Sequence, residues 1–197
     1  MPSVPYMTST RTPPELVRPS ALEPDGHYEV INGQIVEKPP MGAYEVWMAS
    51  HLFGFLVKSE AVQNLGLVVS EMLFLLDPVE DINRRPDLAF VSWDRWPQHR
   101  PVPKVAAWEV IPDLAIEVIS PTNLASAVIV KVGEYFKYGV RRVWVIYPIE
   151  EQVYIYETPK RVRILTRSDR MDEATILPGF ELALEQLFRR EAEPAEA

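Results

Sequence analysis

Asp87, Glu117 and Lys131 are the residues whose types and surroundings could do chemistry. Asp87 stands at the mouth of an apolar run, "RRPDLAFVS", and Glu117 stands inside the next, "IPDLAIEVIS". A carboxylate within a strand that is apolar on both faces costs several kcal/mol if it stays charged and unpaired. A cation, a shifted pKa or an opening to water must compensate. Lys131 follows in "AVIVKVG", flanked by Val130 and Val132. There it must face a sheet or snorkel around the sheet's edge.

If the two runs are neighbouring strands, two acids and one lysine converge on one place. Two close carboxylates repel unless a divalent cation lies between them. Mg²⁺ takes a few carboxylate oxygens and keeps several waters, and it can bind a phosphate oxygen and activate a water. A nearby ammonium could orient that water or offset charge building on the phosphate oxygens. This is the outline of metal-assisted phosphodiester hydrolysis. A plainer account fits the same spacing: an Asp after Pro is commonly a turn or cap residue, and a strand Glu can simply pair with a base. Spacing leaves both open.

The elements that must position these residues follow from pattern. "HYEVINGQIVEKP" reads as a hairpin about Asn32-Gly33. Val46, Ala49, Phe53 and Leu56 recur at helical spacing from Ala43 to about Ala61. "GLVVSEMLFLL" reads as a strand, "DPVEDINRR" as a polar turn, and "PDLAFVS" and "DLAIEVIS" as strands, the latter central. Thr122 or Asn123 can cap a helix that runs through Phe136 and stops at Gly139. "VWVIYP" and "QVYIYET" read as strands joined by a turn, and "ILPGFELALEQLF" as a turn and short helix. A helix between two strands implies a parallel crossover, hence an α/β class with a mixed sheet and flanking helices. Residues 1–24, rich in Pro, Ser and Thr, read as a flexible or partner-packing arm. Residues 25–190 read as one domain and residues 191–197 as a disordered acidic tail.

Composition removes several function classes. Cysteine is absent, so disulfides, thiolate metal sites and Cys nucleophiles are excluded. Gly is scarce at eight residues and no Gly-rich phosphate loop appears, which argues against a nucleotide cofactor. No G-x-S-x-G elbow suggests a serine hydrolase. Neither a signal peptide nor an apolar run near the ~20 residues of a membrane helix is evident, so the expectation is a cytoplasmic protein with no membrane partner. The net charge of −8 disfavours a broad basic nucleic-acid surface, leaving any such surface local.

The ordered set "YEVINGQIVEKPP", "RRPDLAFVS", "PDLAIEVISPTN", "KVGEYFKYGVRRVWVIYP" and "LPGFELALEQLF" resembles the PD-(D/E)XK nuclease superfamily, and within it the Uma-type family of restriction-endonuclease-like proteins, over roughly Gly26 to Phe188. The resemblance implies a restriction-endonuclease-like fold and a Mg²⁺-dependent endonuclease acting on DNA, with Mn²⁺ as substitute and a homodimer as partner state. By position, Asp87 and Glu117 match the metal-binding acids, and the Val118 carbonyl a further ligand. Ile119 stands where the superfamily often has Lys, and Lys131 fits the family's displaced lysine, there to position or help deprotonate the attacking water. Glu45 matches an assisting helix acid, at a place where the family commonly shows His. Asn123 and Ala127 stand where acids are frequent.

Arg84 and Arg85, just before Pro86-Asp87, could meet phosphates or sit in a solvated loop. Glu71 could point into the same cleft or pair with a base. Trp93, Trp96 and Trp108 could stack on bases, though packing is the simpler account. His27, His51 and His99 show no metal spacing, and Tyr135, Phe136 and Tyr138 read as core. A second function class stays in view: a nuclease fold kept as a nucleic-acid-binding or protein-interaction module. A third is hydrolysis of another phosphoester.

Overall fold

The computed structural model describes residues 27–121 and 123–189. The expected arm and tail, and Thr122, lie outside the described residues. The elements in chain order are β1 (Tyr28–Ile31), β2 (Gln34–Glu37), α1 (Ala43–Lys58), α2 (Glu60–Leu65), β3 (Gly66–Ser70), β4 (Phe74–Asp77), β5 (Ile82–Arg84), β6 (Leu88–Ser92), β7 (Leu114–Val118), α3 (Ala125–Lys137), β8 (Arg142–Tyr147), β9 (Gln152–Thr158), β10 (Arg161–Thr166), β11 (Arg170–Asp172), β12 (Glu181–Ala183) and α4 (Leu184–Leu187).

A six-stranded sheet in the order β10-β9-β8-β7-β6-β3 forms the centre. β7 and β8 are parallel and joined through α3, while the other neighbours are antiparallel, so the sheet is mixed as expected. Its two faces bury two apolar clusters. One contains Met48, Leu52 and Leu56 of α1 with Leu88, Phe90, Leu114 and Ile116. The other contains Val128, Val132 and Tyr135 of α3 with Ala89, Val91, Ala115 and Val143. Successive strand side chains point to opposite faces. The even positions of β6 and β7 therefore face α1, and the odd positions face α3.

A second sheet, β2-β1-β5-β4, is built on the predicted hairpin. Asn32 and Gly33 both have positive φ, 52° and 72°, the signature of a tight primed turn whose twist matches its strands. At the far end of α3, Gly139 takes φ 94°. Its amide bonds Phe136 and the Val140 amide bonds Tyr135, closing the helix as a Schellman motif.

Four expectations are corrected. The helix from Ala43 ends at Lys58, because Ser59 adopts an extended conformation (ψ 116°) before α2. Its buried stripe is Met48, Ala49, Leu52 and Leu56; Val46 is exposed. The run "GLVVSEMLFLL" is two strands in different sheets, broken at Glu71, whose φ is 50°. The polar stretch "DPVEDINRR" contains β5, whose Asn83 and Arg84 are buried because side-chain partners compensate them. Finally, α3 starts after Leu124, and Asn123 turns back instead, its Oδ1 accepting from the Ser120 amide at 2.7 Å.

Candidate active site

The register of β6 and β7 pairs Leu88 with Ile116, Ala89 with Ala115 and Phe90 with Leu114. One step further along the same antiparallel ladder sets Asp87 opposite Glu117. Both positions are odd, so both carboxylates face α3. The helix answers with Val128, Lys131, Val132 and Tyr135, which share one face at spacings of three and four residues.

The pair of "PD" segments forms a reciprocal clamp. Asp87 Oδ2 accepts from the Val118 amide at 2.6 Å, at the end of β7. Asp113 Oδ2 accepts from the Ser92 amide at 2.9 Å, at the end of β6. Each Asp thus closes the end of the partner strand, which is the scaffold account of Pro-Asp. The two ends differ in what stands opposite. Asp87 has Glu117 across from it, one step beyond the paired Leu88 and Ile116, whereas Asp113 meets the cations of Arg95 (3.0 Å) and Arg141 (3.2 Å). The clamp at Asp113 does without a second carboxylate, so Glu117 is not required by the clamp itself.

Directly opposed like charges are destabilising, and the surroundings supply the compensation. Lys131 Nζ lies 3.0 Å from Glu117 Oε1 and 2.9 Å from Glu29 Oε1. The Tyr135 hydroxyl donates to Glu117 Oε1 at 2.6 Å. Lys38 Nζ donates to Asp87 Oδ1 at 2.6 Å, to Glu71 at 3.0 Å and to the Arg85 carbonyl at 3.1 Å. Arg84 donates to Glu29 Oε2 at 2.7 Å and pairs with Glu134. Burial pushes the Glu117 carboxyl up, helped by Asp87 and Glu29 and resisted by Lys131 and Lys38. Burial also acts on Glu29, but Lys131, Arg84 and the Arg85 amide outweigh it and hold Glu29 below its ordinary value. Burial lowers the basicity of both lysines, yet the carboxylates more than offset this. Lys38, beside Asp87 and Glu117, and Lys131, beside Glu117 and Glu29, both titrate above the ordinary lysine value.

The cleft over this cluster has a volume of about 560 Å³. Asp87, Glu117, Val118 and Lys131 line it, with Lys38, Glu29 and Arg84. Asp87 and Glu117 bring the hard carboxylate oxygens that suit Mg²⁺. The Val118 carbonyl leaves β7 on the same side as its amide, toward Asp87. The donor chemistry therefore fits a divalent cation of low protein coordination. Among the described residues, no group of three or more His, Asp or Glu residues could hold a metal ion.

Other candidates are placed as follows. Glu45 is buried at the start of α1 with its carboxylate against Gly42, and it does not line the cleft. The Arg84 guanidinium is buried and faces Glu29 and Glu134. Arg85 donates to the carbonyls of Glu71 and Tyr28 and covers the Tyr28 ring. Both arginines are engaged inside the protein. Glu71 pairs with Lys38 and with His27 (3.3 Å). Trp96 and Trp108 are buried edge-to-face at 5.1 Å, which supports the packing account for these two. His51 contacts the Gln186 carbonyl at 3.1 Å, and His99 is exposed. Ile119, Asn123 and Ala127 line the cleft.

Sequence reasoning missed Lys38, Glu29 and Glu134, and read Tyr135 as core alone. Glu29 had a signal, an acid in the alternating "HYEVI". Tyr135 had one too, four residues after Lys131 on the same helical face.

Among the described residues, no helix is long and apolar enough to cross a membrane. No curated protein matches the chain significantly. Among solved structures, the chain is similar to the crystal structure of "a putative nuclease belonging to DUF820" from Anabaena variabilis. That likeness has 20% identity and a TM-score of 0.70, and covers 82% of this chain and 89% of the other. The fold is shared. Residues 14–185 match the Uma2 family, described as "Putative restriction endonuclease". With nearly the whole length matched and the mixed sheet in place, the chain belongs to the Uma2 family.

Proposed function

We propose that the protein hydrolyses phosphodiester bonds of DNA, with Mg²⁺ (or Mn²⁺) held by Asp87, Glu117 and the Val118 carbonyl. The observation that carries this reading is Glu117, brought beside Asp87 in one cleft with Val118 and Lys131. Family membership and the fold shared with the Anabaena protein support it. The ion, when bound, would polarise a phosphate oxygen and lower the pKa of a coordinated water.

The chain's own residues do the positioning. The Val118 amide fixes Asp87, and Tyr135 fixes Glu117. Lys131, flanked by Glu117 and Glu29, stays an ammonium at neutral pH, so it acts by donating hydrogen bonds and by electrostatics. It orients the attacking water or stabilises charge on the phosphate oxygens. A homodimer would let each copy cut one strand, and sedimentation tests that state. The functional test is cleavage of several DNA forms with Mg²⁺ or Mn²⁺ by wild type, Asp87→Asn, Glu117→Gln and Lys131→Met. Activity lost in all three variants supports the reading. Activity retained in Asp87→Asn and Glu117→Gln overturns it.

A second reading, a binding or assembly module, has its own observation. Lys38, Arg84, Arg85 and Lys131 are all committed to internal partners, which leaves none of these four cations free for a phosphate backbone. Calorimetry with Mn²⁺ on wild type and Asp87→Ala discriminates, because equal heats favour the module.

A further inference from the structure

Lys38 was not part of the expected constellation, yet it pairs with Asp87 at 2.6 Å. Its backbone is fixed: the Lys38 amide donates to the His27 carbonyl at 2.8 Å at the open end of the hairpin, and Pro39 and Pro40 follow and hold it extended. Its side chain is only 13% exposed. An ammonium has three donors, and here Asp87 Oδ1, the Glu71 carboxylate and the Arg85 carbonyl use all of them. Asp87 Oδ2 is already taken by the Val118 amide. Lys38 therefore sits on the one oxygen of Asp87 that the backbone leaves for another cation. Lys131 does not play this part, because Glu117 and Glu29 hold it.

We infer that Lys38 is a resident counter-ion of Asp87 that a divalent metal must displace, so that lysine and metal occupy Asp87 Oδ1 by turns. The lysine keeps the metal-free protein electrostatically closed and makes metal binding weaker than the carboxylate pair alone would allow. Displacement leaves Lys38 tethered to Glu71 beside the cleft. This inference rests on the metal site proposed above.

The test is calorimetric titration of Mn²⁺ into wild type, Lys38→Met and Lys38→Gln, each checked for folding by circular dichroism. Removing one charge-assisted hydrogen bond from the competition should tighten Mn²⁺ roughly tenfold to a hundredfold in both variants. In wild type, side-chain NMR should show the Lys38 Nζ protons losing their protection from solvent exchange as Mg²⁺ is added, while those of Lys131 keep theirs. This second measurement needs no variant to fold. Unchanged or weaker Mn²⁺ affinity in the variants, or a Lys38 signal that stays protected at saturating Mg²⁺, overturns the inference and leaves the metal site standing. Absence of metal binding in all three proteins overturns both.

Discussion

Lys131→Met separates what the lysine does for the fold from what it does for chemistry. Met keeps most of the aliphatic stem, so the change removes mainly the charge. The side chains around the ammonium are largely buried: 17% exposed for Lys131, and 9% each for Glu29 and Glu117. Breaking a buried ion pair by removing one partner costs about 3–5 kcal/mol, because the other charge is stranded. Here two carboxylates lose their cation, but Arg84 still holds Glu29 and Tyr135 still donates to Glu117. The lower end, about 3 kcal/mol, is expected. With a urea m-value of about 1–3 kcal/mol/M, the midpoint should fall by roughly 1–3 M. The deficit should shrink as pH falls, because protonating the stranded carboxylates removes the penalty. Adding Glu117→Gln to Lys131→Met should recover part of the loss at neutral pH. A deficit under about 1 kcal/mol that ignores pH would place the pair in the regime of solvent-screened surface bridges. It would refute the reasoning that this site is closed.

Further tests follow from the same geometry. Tyr135→Phe removes a buried donor to a charged acceptor and should cost about 1.5–3 kcal/mol by urea denaturation. Glu117 titrates above its ordinary value in the folded state, so folding binds an extra proton there. Its contribution is most favourable below the ordinary Glu pKa of 4.5 and is lost as pH rises through the raised value. Wild type should therefore lose stability relative to Glu117→Gln over that rise, measured by denaturation at a series of pH values. Glu29 has the opposite sign, contributing above 4.5 and losing that contribution as pH falls; Glu29→Gln should cost stability at neutral pH and little in acid. Gly139→Ala forces an alanine into φ 94° and should cost about 1–2 kcal/mol with the cleft unaltered.

Much of the centre of this site was legible in the chain. The twin segments at Asp87 and Asp113 read alike because they are the two ends of one antiparallel pair. Local periodicity places Lys131 and Tyr135 on one helical face. What could not be read depends on chain segments meeting from afar. Lys38 gains its role only because the small sheet brings the hairpin's open end to Asp87. Arg84 and Arg85 sit in a stretch polar enough to pass for an exposed turn, and only the docking of Glu29 beside them shows why β5 can be buried. The break at Glu71 was hidden because apolar residues flank it on both sides.

Because the two Pro-Asp clamps are built alike, the molecule contains its own control. Asp113→Asn weakens the Ser92 clamp and the ion pairs with Arg95 and Arg141 but lies outside the cleft, and Asp87→Asn perturbs the Val118 clamp, the Lys38 pair and the cleft together. Cleavage lost in the second variant and kept in the first belongs to the cleft, not to the framework, so this pair of variants divides architecture from activity.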